Sequence, residues 1–333
     1  MPKVSIIIVN YNGERVLGDC LRAVEGQSLK DFEIVLVDNA STDGSISLVG
    51  HLREGWKATP FNLISLTENR GFTGGNIEGL RHCSGDYIVL LNNDTEPDRG
   101  WLQALVDAAD VHPEVGICAS KLINHGTSRI DSAGDLFSTA LRGFKRGEGD
   151  VDNGFNREEY IFGACAGAAL YRRSMLDEIG FLDEDFFLIH EDTDLNWRAQ
   201  LAGWKVLYVP SAVVYHKVRS TIGRKSDLAM YYTVRNSEFV RIKDMPCPVL
   251  LRCLPSFMAG MLTEFVLFGI RHRRPGLYMK AKLDALRLFP QMLKKRTDIM
   301  KKRKVSDAYI LSLMTSVLEK KFLRAKFNRL LHG

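Results

Sequence analysis

This chain of 333 residues has no CxxC pair and no metal-ligand spacing among its cysteines. The six present, Cys20, Cys83, Cys118, Cys165, Cys247 and Cys253, are scattered, mostly among apolar residues. They read as reduced core thiols of a cytosolic protein, which excludes a disulfide scaffold or a zinc module. The opening "MPKVSIIIVN" carries one lysine and an apolar run too short for a signal peptide, so export is not expected. Neither a GxGxxG fingerprint nor a GxxxxGK[ST] loop occurs, which removes the usual signs of a dinucleotide site or a P-loop. Internal repeats and low-complexity tracts are missing too.

What is present is an ordinary soluble composition, 45% apolar and 26% charged. The length allows two domains, or one large domain with an appendage, and a core that needs no covalent staples. The net charge of +5 hides a strong asymmetry. Residues 1–216 hold 19 Lys+Arg against 32 Asp+Glu, whereas residues 217–333 hold 26 against 8. A basic portion of that size implies an anionic partner: nucleic acid, an anionic membrane surface or an acidic substrate.

Four aliphatic runs recur in the first hundred residues: "VSIIIVN" (4–10), "FEIVLVD" (32–38), "FNLISL" (61–66) and "YIVLLN" (87–92). Helix-like spacing fills the intervals, as in "ERVLGDCLRAVEGQ". Strands apolar on both faces, alternating with helices, predict a largely parallel sheet covered on both sides. In such sheets ligands bind at the carboxyl ends of the strands. Those ends here read "NYNG", "DNASTDGS", "ENRGFTGGN" and "NNDT". Turns favour the same residue types singly, but four such ends on one rim favour a site. A loose stretch follows at 124–160, read as loop with one hairpin.

Individual residues then separate. Asp38 closes a strand and suits a nucleobase or ribose, whereas Asp43 reads as a helix N-cap. In "NRGFTGGN", Arg70 suits a phosphate and the glycines allow close backbone approach. In "NNDT", strand alternation would aim Asn92 and Asp94 alike, and a carboxylate with an amide oxygen suits a hard divalent ion carrying a phosphate. An Asx-type turn is the competing reading. "HEDTDLNWRAQLAGW" sets Glu191, Asp192 and Asp194 at the start of a helix, either to favour its dipole or to supply a general base. His216 ends the strand-like "SAVVYH", where metal or phosphate contact suits it.

"VSIIIVNYNG", "VDNASTDGS", "NRGFTGGN", "GDYIVLLNNDT" and "EDTDLNWR", in this order, resemble inverting nucleotide-sugar glycosyltransferases of family 2 with the GT-A fold. The rhamnosyltransferase-like branch is the most similar, through "GFLDEDFFLIHEDTDLNWRAQLAGW" and "YYTVRN" (231–236). The resemblance covers about residues 3–240. It implies an α/β, Rossmann-like, mostly parallel sheet in a catalytic domain at 1–240, with a basic helical appendage at 241–333. Val9 through its backbone, Tyr11, Asp38, Arg70 and the backbone near Gly74 would hold the nucleotide sugar. Asn92, Asn93 and Asp94 would stand at the family's DxD position, with Asp94 and His216 on a divalent cation, Mg²⁺ or Mn²⁺. Asp192 would be the catalytic base and Glu191 its support. Asn92 departs from the pattern, since the family often has an aspartate there, and that weakens the expected metal site.

The resemblance further implies a hydroxyl acceptor on a glycan or lipid-linked saccharide, used in cell-surface polysaccharide synthesis, with dTDP-rhamnose as the first donor to consider. Residues 248–270, "PVLLRCLPSFMAGMLTEFVLFGI", are interrupted by Arg252, Pro255 and Glu264 and are read as interfacial rather than spanning. With the cationic stretch behind them, they place the protein at the inner face of the cytoplasmic membrane; the competing reading is a helical bundle packed on the catalytic domain. Nucleic acid is not expected, because aromatic residues are not interleaved with the basic ones. Two other classes remain open: a non-catalytic nucleotide-sugar-binding protein, and a nucleic-acid binder using the basic portion.

Overall fold

The computed structural model describes residues 2–56, 59–217 and 226–319. In chain order, β1 (Val4–Asn10), α1 (Glu14–Glu25), β2 (Phe32–Asp38), α2 (Ser45–Arg53), β3 (Phe61–Ser65), α3 (Gly71–Leu80) and β4 (Tyr87–Asn92) form the alternating part. The short β5 (Thr95–Pro97) leads to α4 (Trp101–Val111) and the long β6 (Val115–Asn124). The stretch read as loop holds more order than expected: β7 (Ile130–Ser132), the hairpin β8 (Asp135–Ser138) and β9 (Arg142–Lys145), and β10 (Glu159–Ile161). These strands are only three or four residues long, too short for a period-2 pattern to register. Next come β11 (Ala168–Arg172), α5 (Arg173–Ile179), α6 (Glu191–Leu201) and β12 (Lys205–His216). Five helices close the described chain: α7 (Asp227–Asp244), α8 (Cys247–Phe265), α9 (Pro275–Arg287), α10 (Phe289–Lys301) and α11 (Asp307–Leu313). A π-helical turn, Val266–Arg271, continues α8.

The main sheet runs β10-β12-β6-β11-β4-β1-β2-β3. Its β4-β1-β2-β3 part is parallel throughout, and the antiparallel β11 joins it to the parallel pair β6 and β12. From β1 the chain winds outward to β2 and β3, then returns to lay β4 on the other flank of β1. That reversal opens a crevice at the carboxyl ends of β1 and β4, where open α/β sheets bind ligands.

Ile6, Ile7 and Ile8 are all fully buried because both faces of the sheet are covered. Leu17, Leu21 and Val24 of α1, Val49 of α2 and Trp101 of α4 pack on one face. Phe72 and Ile77 of α3, Met175 of α5 and Leu195 of α6 pack on the other. A third core joins the hairpin and α6 to the C-terminal helices, through Phe137, Trp197, Phe239, Val249, Met292 and Ile310. The basic helices therefore do pack on the sheet-bearing part, and α7 runs unbroken across position 240.

Candidate active site

A ladder of side-chain amides ties the parallel strand ends together. Asn10 donates from Nδ2 to Asp38 Oδ1 at 3.2 Å and to Ser41 Oγ at 3.1 Å, and its Oδ1 accepts from Asn93 Nδ2 at 2.8 Å. Asn39 donates to Asn69 Oδ1 and to the Gly71 carbonyl, and accepts from the Arg70 N–H. Asp38 is buried and also accepts from the Ser41 N–H. Tyr11 stands exposed just beyond β1. Val9 lies beneath α3: a Cβ on Gly75 would approach its Cγ1 to 2.6 Å, so the glycine lets the helix lie close on β1. At Gly74 the equivalent space is filled by the Arg70 side chain, whose Nη1 lies 3.4 Å from Glu78 Oε2.

The sequence expectation for Asp43 changes. The N-cap of α2 is Gly44, without a side-chain bond, and Asp43 instead accepts from the Ser45 N–H and from the Glu14 N–H at the start of α1. Asp43 thus caps the neighbouring helix as much as its own, which local sequence spacing does not reveal.

β4 stops at Asn92, and the chain turns through Asn93 and Asp94. Strand alternation therefore no longer governs Asp94. Asn92 lies against the 165–167 loop, where a Cβ on Gly167 would approach its Nδ2 to 3.1 Å. Asp94 instead meets His216, with Oδ1 3.2 Å from Nε2. His216 Nδ1 lies 2.9 Å from Asp131 Oδ2, and Lys145 Nζ lies 2.7 Å from the same oxygen. Burial pulls the His216 imidazolium down, but its hydrogen bonds to Asp131 and Asp94 outweigh this and lift it to about 9. Burial also works against the Asp131 carboxylate, yet Lys145 and His216 hold it well below the usual range. Asp131 fixes the imidazole orientation and leaves Nε2 facing Asp94, as carboxylates behind metal-ligating histidines do. A divalent ion taking these two ligands would first displace the proton between His216 Nε2 and Asp94, and would complete its shell with phosphate and water. Among the described residues no group of three or more His, Cys, Asp or Glu forms a ready-made metal cluster.

Three acids open α6. Asp194 faces away from the crevice and is held by Arg198 and Lys243. Glu191 is buried, its Oε2 has no hydrogen-bond partner, and burial followed by the Asp192 charge pushes its carboxyl well above the usual range. Asp192 is only partly buried; it accepts from the Thr193 N–H at 2.6 Å and, at 3.4 Å, from the Ala166 N–H. Burial raises its pKa against those donors. Asp135, on the hairpin, is lifted to about 8 by burial and by the Asp192 charge. Carboxyls so crowded do not all ionise together. Of Glu191, Asp192 and Asp135, it is Asp192 that accepts from the Ala166 and Thr193 N–H groups, and these donors favour its ionised form.

Asp192 and the Asn92 turn are joined through one loop. The Ala166 N–H points at Asp192, and the next carbonyl, Gly167, accepts the Asn92 N–H at 2.9 Å. On the far side, Phe187, Ile189 and His190 adopt positive φ of 61°, 66° and 72° just before α6. Such values are costly for bulky and β-branched residues and persist only where the surroundings enforce them. Asn236 of α7 does so: fully buried, it donates from Nδ2 to the carbonyls of Phe186, Leu188 and Ile189 at 2.9, 2.8 and 2.7 Å. Ser237 Oγ adds a contact with His190 Nε2 at 3.1 Å. Asn10, Asn39 and Asn236 were not singled out by the sequence reading, although they stand within the quoted "NYNG", "DNASTDGS" and "YYTVRN"; Asp131, Asp135 and Lys145 carried no signal.

Comparison with known proteins bears on the family and the fold. The family model described as "Glycosyl transferase family 2" matches residues 5–180, more than half of the chain, and the chain belongs to that family. Its fold is the GT-A fold of glycosyltransferases. The poly-beta-1,6-N-acetyl-D-glucosamine synthase of Staphylococcus aureus (strain COL) is 23% identical over 221 residues, 66% of this chain and 51% of the synthase. The synthase of Staphylococcus epidermidis is 22% identical over the same shares. The chain thus spans about half the length of the curated relatives it matches. Among solved structures, S. aureus TarS 1-349 in complex with UDP-GlcNAc superposes with a TM-score of 0.57 at 17% identity, covering 90% of this chain and 89% of that one. The mannosyltransferase PcManGT from Pyrobaculum calidifontis, in complex with GDP-Man and Mn²⁺, gives 0.52 at 19% identity, covering 94% and 86%.

Proposed function

We propose that this enzyme transfers a sugar, with inversion, from a nucleoside-diphosphate donor to a hydroxyl of a glycan or lipid-linked saccharide. The observation that carries the reading is the 165–167 loop, which bonds the partly exposed Asp192 on one side and the Asn92 turn on the other. The donor lies at the ends of β1, β2 and β4, against the Val9 backbone, Tyr11, Asp38, Arg70, Gly74, Asn92 and Asn93. Asp94 and His216 hold a divalent cation, Mg²⁺ or Mn²⁺. When bound, that ion offsets charge on the diphosphate. Two structural neighbours contain Mn²⁺, the PcManGT complex with GDP-Man and GalNAc-T7 with UDP and GalNAc.

Asp192 takes the proton of the acceptor hydroxyl as that oxygen bonds to the anomeric carbon. The bond from that carbon to the diphosphate oxygen breaks on the opposite face, so configuration inverts in one displacement. Glu191, holding its own proton, keeps a second negative charge away from the base. The curated relatives are named as polysaccharide synthases, and we assign this enzyme to cell-surface polysaccharide synthesis. We place it on the rhamnosyltransferase-like branch, with dTDP-rhamnose the first donor to test. It works at the inner face of the cytoplasmic membrane, residues 1–240 forming the catalytic unit and 241–333 the part that meets the anionic surface.

Thermal stability with UDP, dTDP and GDP, each with and without Mn²⁺ or Mg²⁺, tests the donor site on the wild type and on Asp94→Ala. Stabilisation by one nucleotide that needs the metal and vanishes in Asp94→Ala supports the site and names the base. A nucleotide shift indifferent to metal and to Asp94 removes the cation. No shift with any nucleotide overturns the donor site as drawn.

A further inference from the structure

Helix α8 and the turn after it are long and apolar enough, by length and composition, to cross a membrane, with a mean hydropathy of 1.4. Their two sides differ, however. Val249, Cys253 and Glu264 are buried, and a Cβ on Gly260 would lie 3.1 Å from Ala140 Cβ, so this side rests on the turn between β8 and β9. Glu264 Oε2 lies 2.7 Å from Arg142 Nη2 of β9, with Arg241 and Lys282 also within 4 Å. A helix seated on protein along one side, through a buried carboxylate paired with arginine, has only its other side to give to lipid and cannot be surrounded by it.

The opposite side is apolar and open. Leu251, Leu254, Met258, Leu262, Phe265 and Val266 recur at steps of three or four with one adjacent pair, and all are exposed, Leu251 by 69% and Leu262 by 66%. At 1.5 Å per residue the stripe runs about 22 Å along the helix. α9 shows a second exposed row, Met279, Leu283 and Leu286. The charge around them has one sign. Residues 247–287 contain seven Lys+Arg and two Asp+Glu. Of the two acids, Glu264 is buried and Asp284 accepts from Tyr231 and Arg287. Arg252, Arg271, Arg273 and Lys280 are exposed. An apolar stripe flanked by cations fits an anionic lipid surface, with the apolar side chains among the acyl chains and the cations at the head groups.

We propose that α8 lies in the plane of an anionic bilayer and carries the hairpin β8–β9, through Glu264–Arg142 and Gly260–Ala140, so that docking sets the catalytic carboxyls against the lipid surface. The hairpin is the link: it bears Asp135 and Lys145, and a Cβ on its Gly143 would lie 3.4 Å from Thr193 Oγ1, beside Asp192. The proposal deepens the membrane-surface reading above and rests on it for the acceptor.

The test is co-flotation of the full chain with phosphatidylcholine vesicles, with and without phosphatidylglycerol. Binding is expected only with the anionic lipid, with release by high salt or alkaline carbonate. The variant Leu254→Glu/Met258→Glu/Leu262→Glu is expected to bind about tenfold more weakly. The charge-reversed Arg252→Glu/Arg271→Glu/Lys280→Glu, with its apolar stripe intact, is also expected to lose anionic binding. Both variants are checked for an unchanged nucleotide-induced thermal shift, which separates this proposal from the donor-site reading. Release by detergent alone would mean a spanning helix and overturns it. So does equal binding by the triple-Glu variant, or a dimer of the wild type that this variant dissolves while no vesicle binding is seen.

Discussion

Along the ends of β1 and β2 and the approach to α3, the polar side chains that meet are Asn10, Asn39, Asn69 and Asn93, with Asp38 held among them. Across the crevice the corresponding groups are Asp94, Asp131, Asp135, Glu191 and Asp192, set among His216 and Lys145. Apart from the Asp38 carboxylate, this rim is made of neutral amides that bond one another before any ligand arrives, so it supplies fixed geometry at little electrostatic cost. The carboxyl wall is the reverse: its groups compete for protons, and its chemistry depends on which of them wins. A crevice with one wall of amides and one crowded with acids suits the proposed reaction, in which a dianionic donor is gripped while a single base stays ionised.

Removing the charge of Asp192, the base of the proposed reaction, breaks this contrast most severely. Asp192→Asn is expected to lower kcat about 10³-fold, within the range of general-base catalysis. The nucleotide-induced thermal shift should persist, because the amide rim is untouched. Thermal stability should rise, since the variant lifts the charge that pushes Glu191 and Asp135 upward. The wild-type pH profile carries the same signature. Asp192 must be ionised to act and its pKa is raised, so activity should fall on acidification at a pH above the ordinary carboxylate range. A profile flat down to that range, or an Asp192→Asn variant of normal kcat, would remove Asp192 from the base role.

The next effect should come from Asn236, which touches neither wall. Asn236→Ala leaves the carbonyls of Phe186, Leu188 and Ile189 without their donor and frees three residues held at positive φ. Stability should drop by about 1–3 kcal/mol, the usual cost of buried groups left unpaired. Because this segment launches α6, kcat should fall about 10²-fold through misplacement of Asp192. Nucleotide affinity should hold. Equal losses in kcat and nucleotide affinity would mean a general loosening of the fold instead.

The same contrast explains what was legible in the sequence. The amide rim is made of strand ends, so "NYNG", "DNAS" and "NNDT" exposed it through strand period and turn chemistry, and the parallel sheet followed from the aliphatic runs. Asp94 and His216 were each singled out by their place at a strand end. Their meeting, and its reinforcement by Asp131 and Lys145, was not legible, because β7 and β9 are too short to show a pattern. Asn236 sits in an 18-residue helix, where one buried polar residue leaves no periodic trace. In the basic C-terminal helices, which side packs is fixed by single contacts, such as Glu264 with Arg142, and such contacts leave no mark in the sequence.

Smaller still is a pH effect on stability in the network that docks the C-terminal helices. Asp183 lies 2.5 Å from Lys243 of α7 and 2.5 Å from Lys295 of α10. Burial alone would raise its pKa, but the two lysines outweigh this and bring it down to about 2. A lowered carboxyl stabilises the fold fully above its unfolded value, about 3.9, and the contribution disappears as pH falls through the folded one. The full term is on the order of 2 kcal/mol at neutral pH. Acid unfolding between those two values should therefore be less steep in Asp183→Asn than in the wild type, and a superimposable pair of curves would show the ion pairs to be inert.

The smallest effect separates two neighbours within a single tripeptide. Asn93 gives its amide to Asn10, and Asn10 in turn orients Asp38 and Ser41, so Asn93 serves the amide rim. Its neighbour Asp94 faces His216 and serves the acidic wall. Asn93→Ala removes one hydrogen bond and should cost about 1 kcal/mol of stability, with a weaker nucleotide shift whose dependence on metal is unchanged. Asp94→Ala should act the other way round and abolish the metal dependence itself. Titrating Mn²⁺ against both variants at fixed nucleotide checks the distinction. If both lose the metal response alike, the tripeptide works as one ligand unit, and the boundary between the two walls runs on the far side of Asn93.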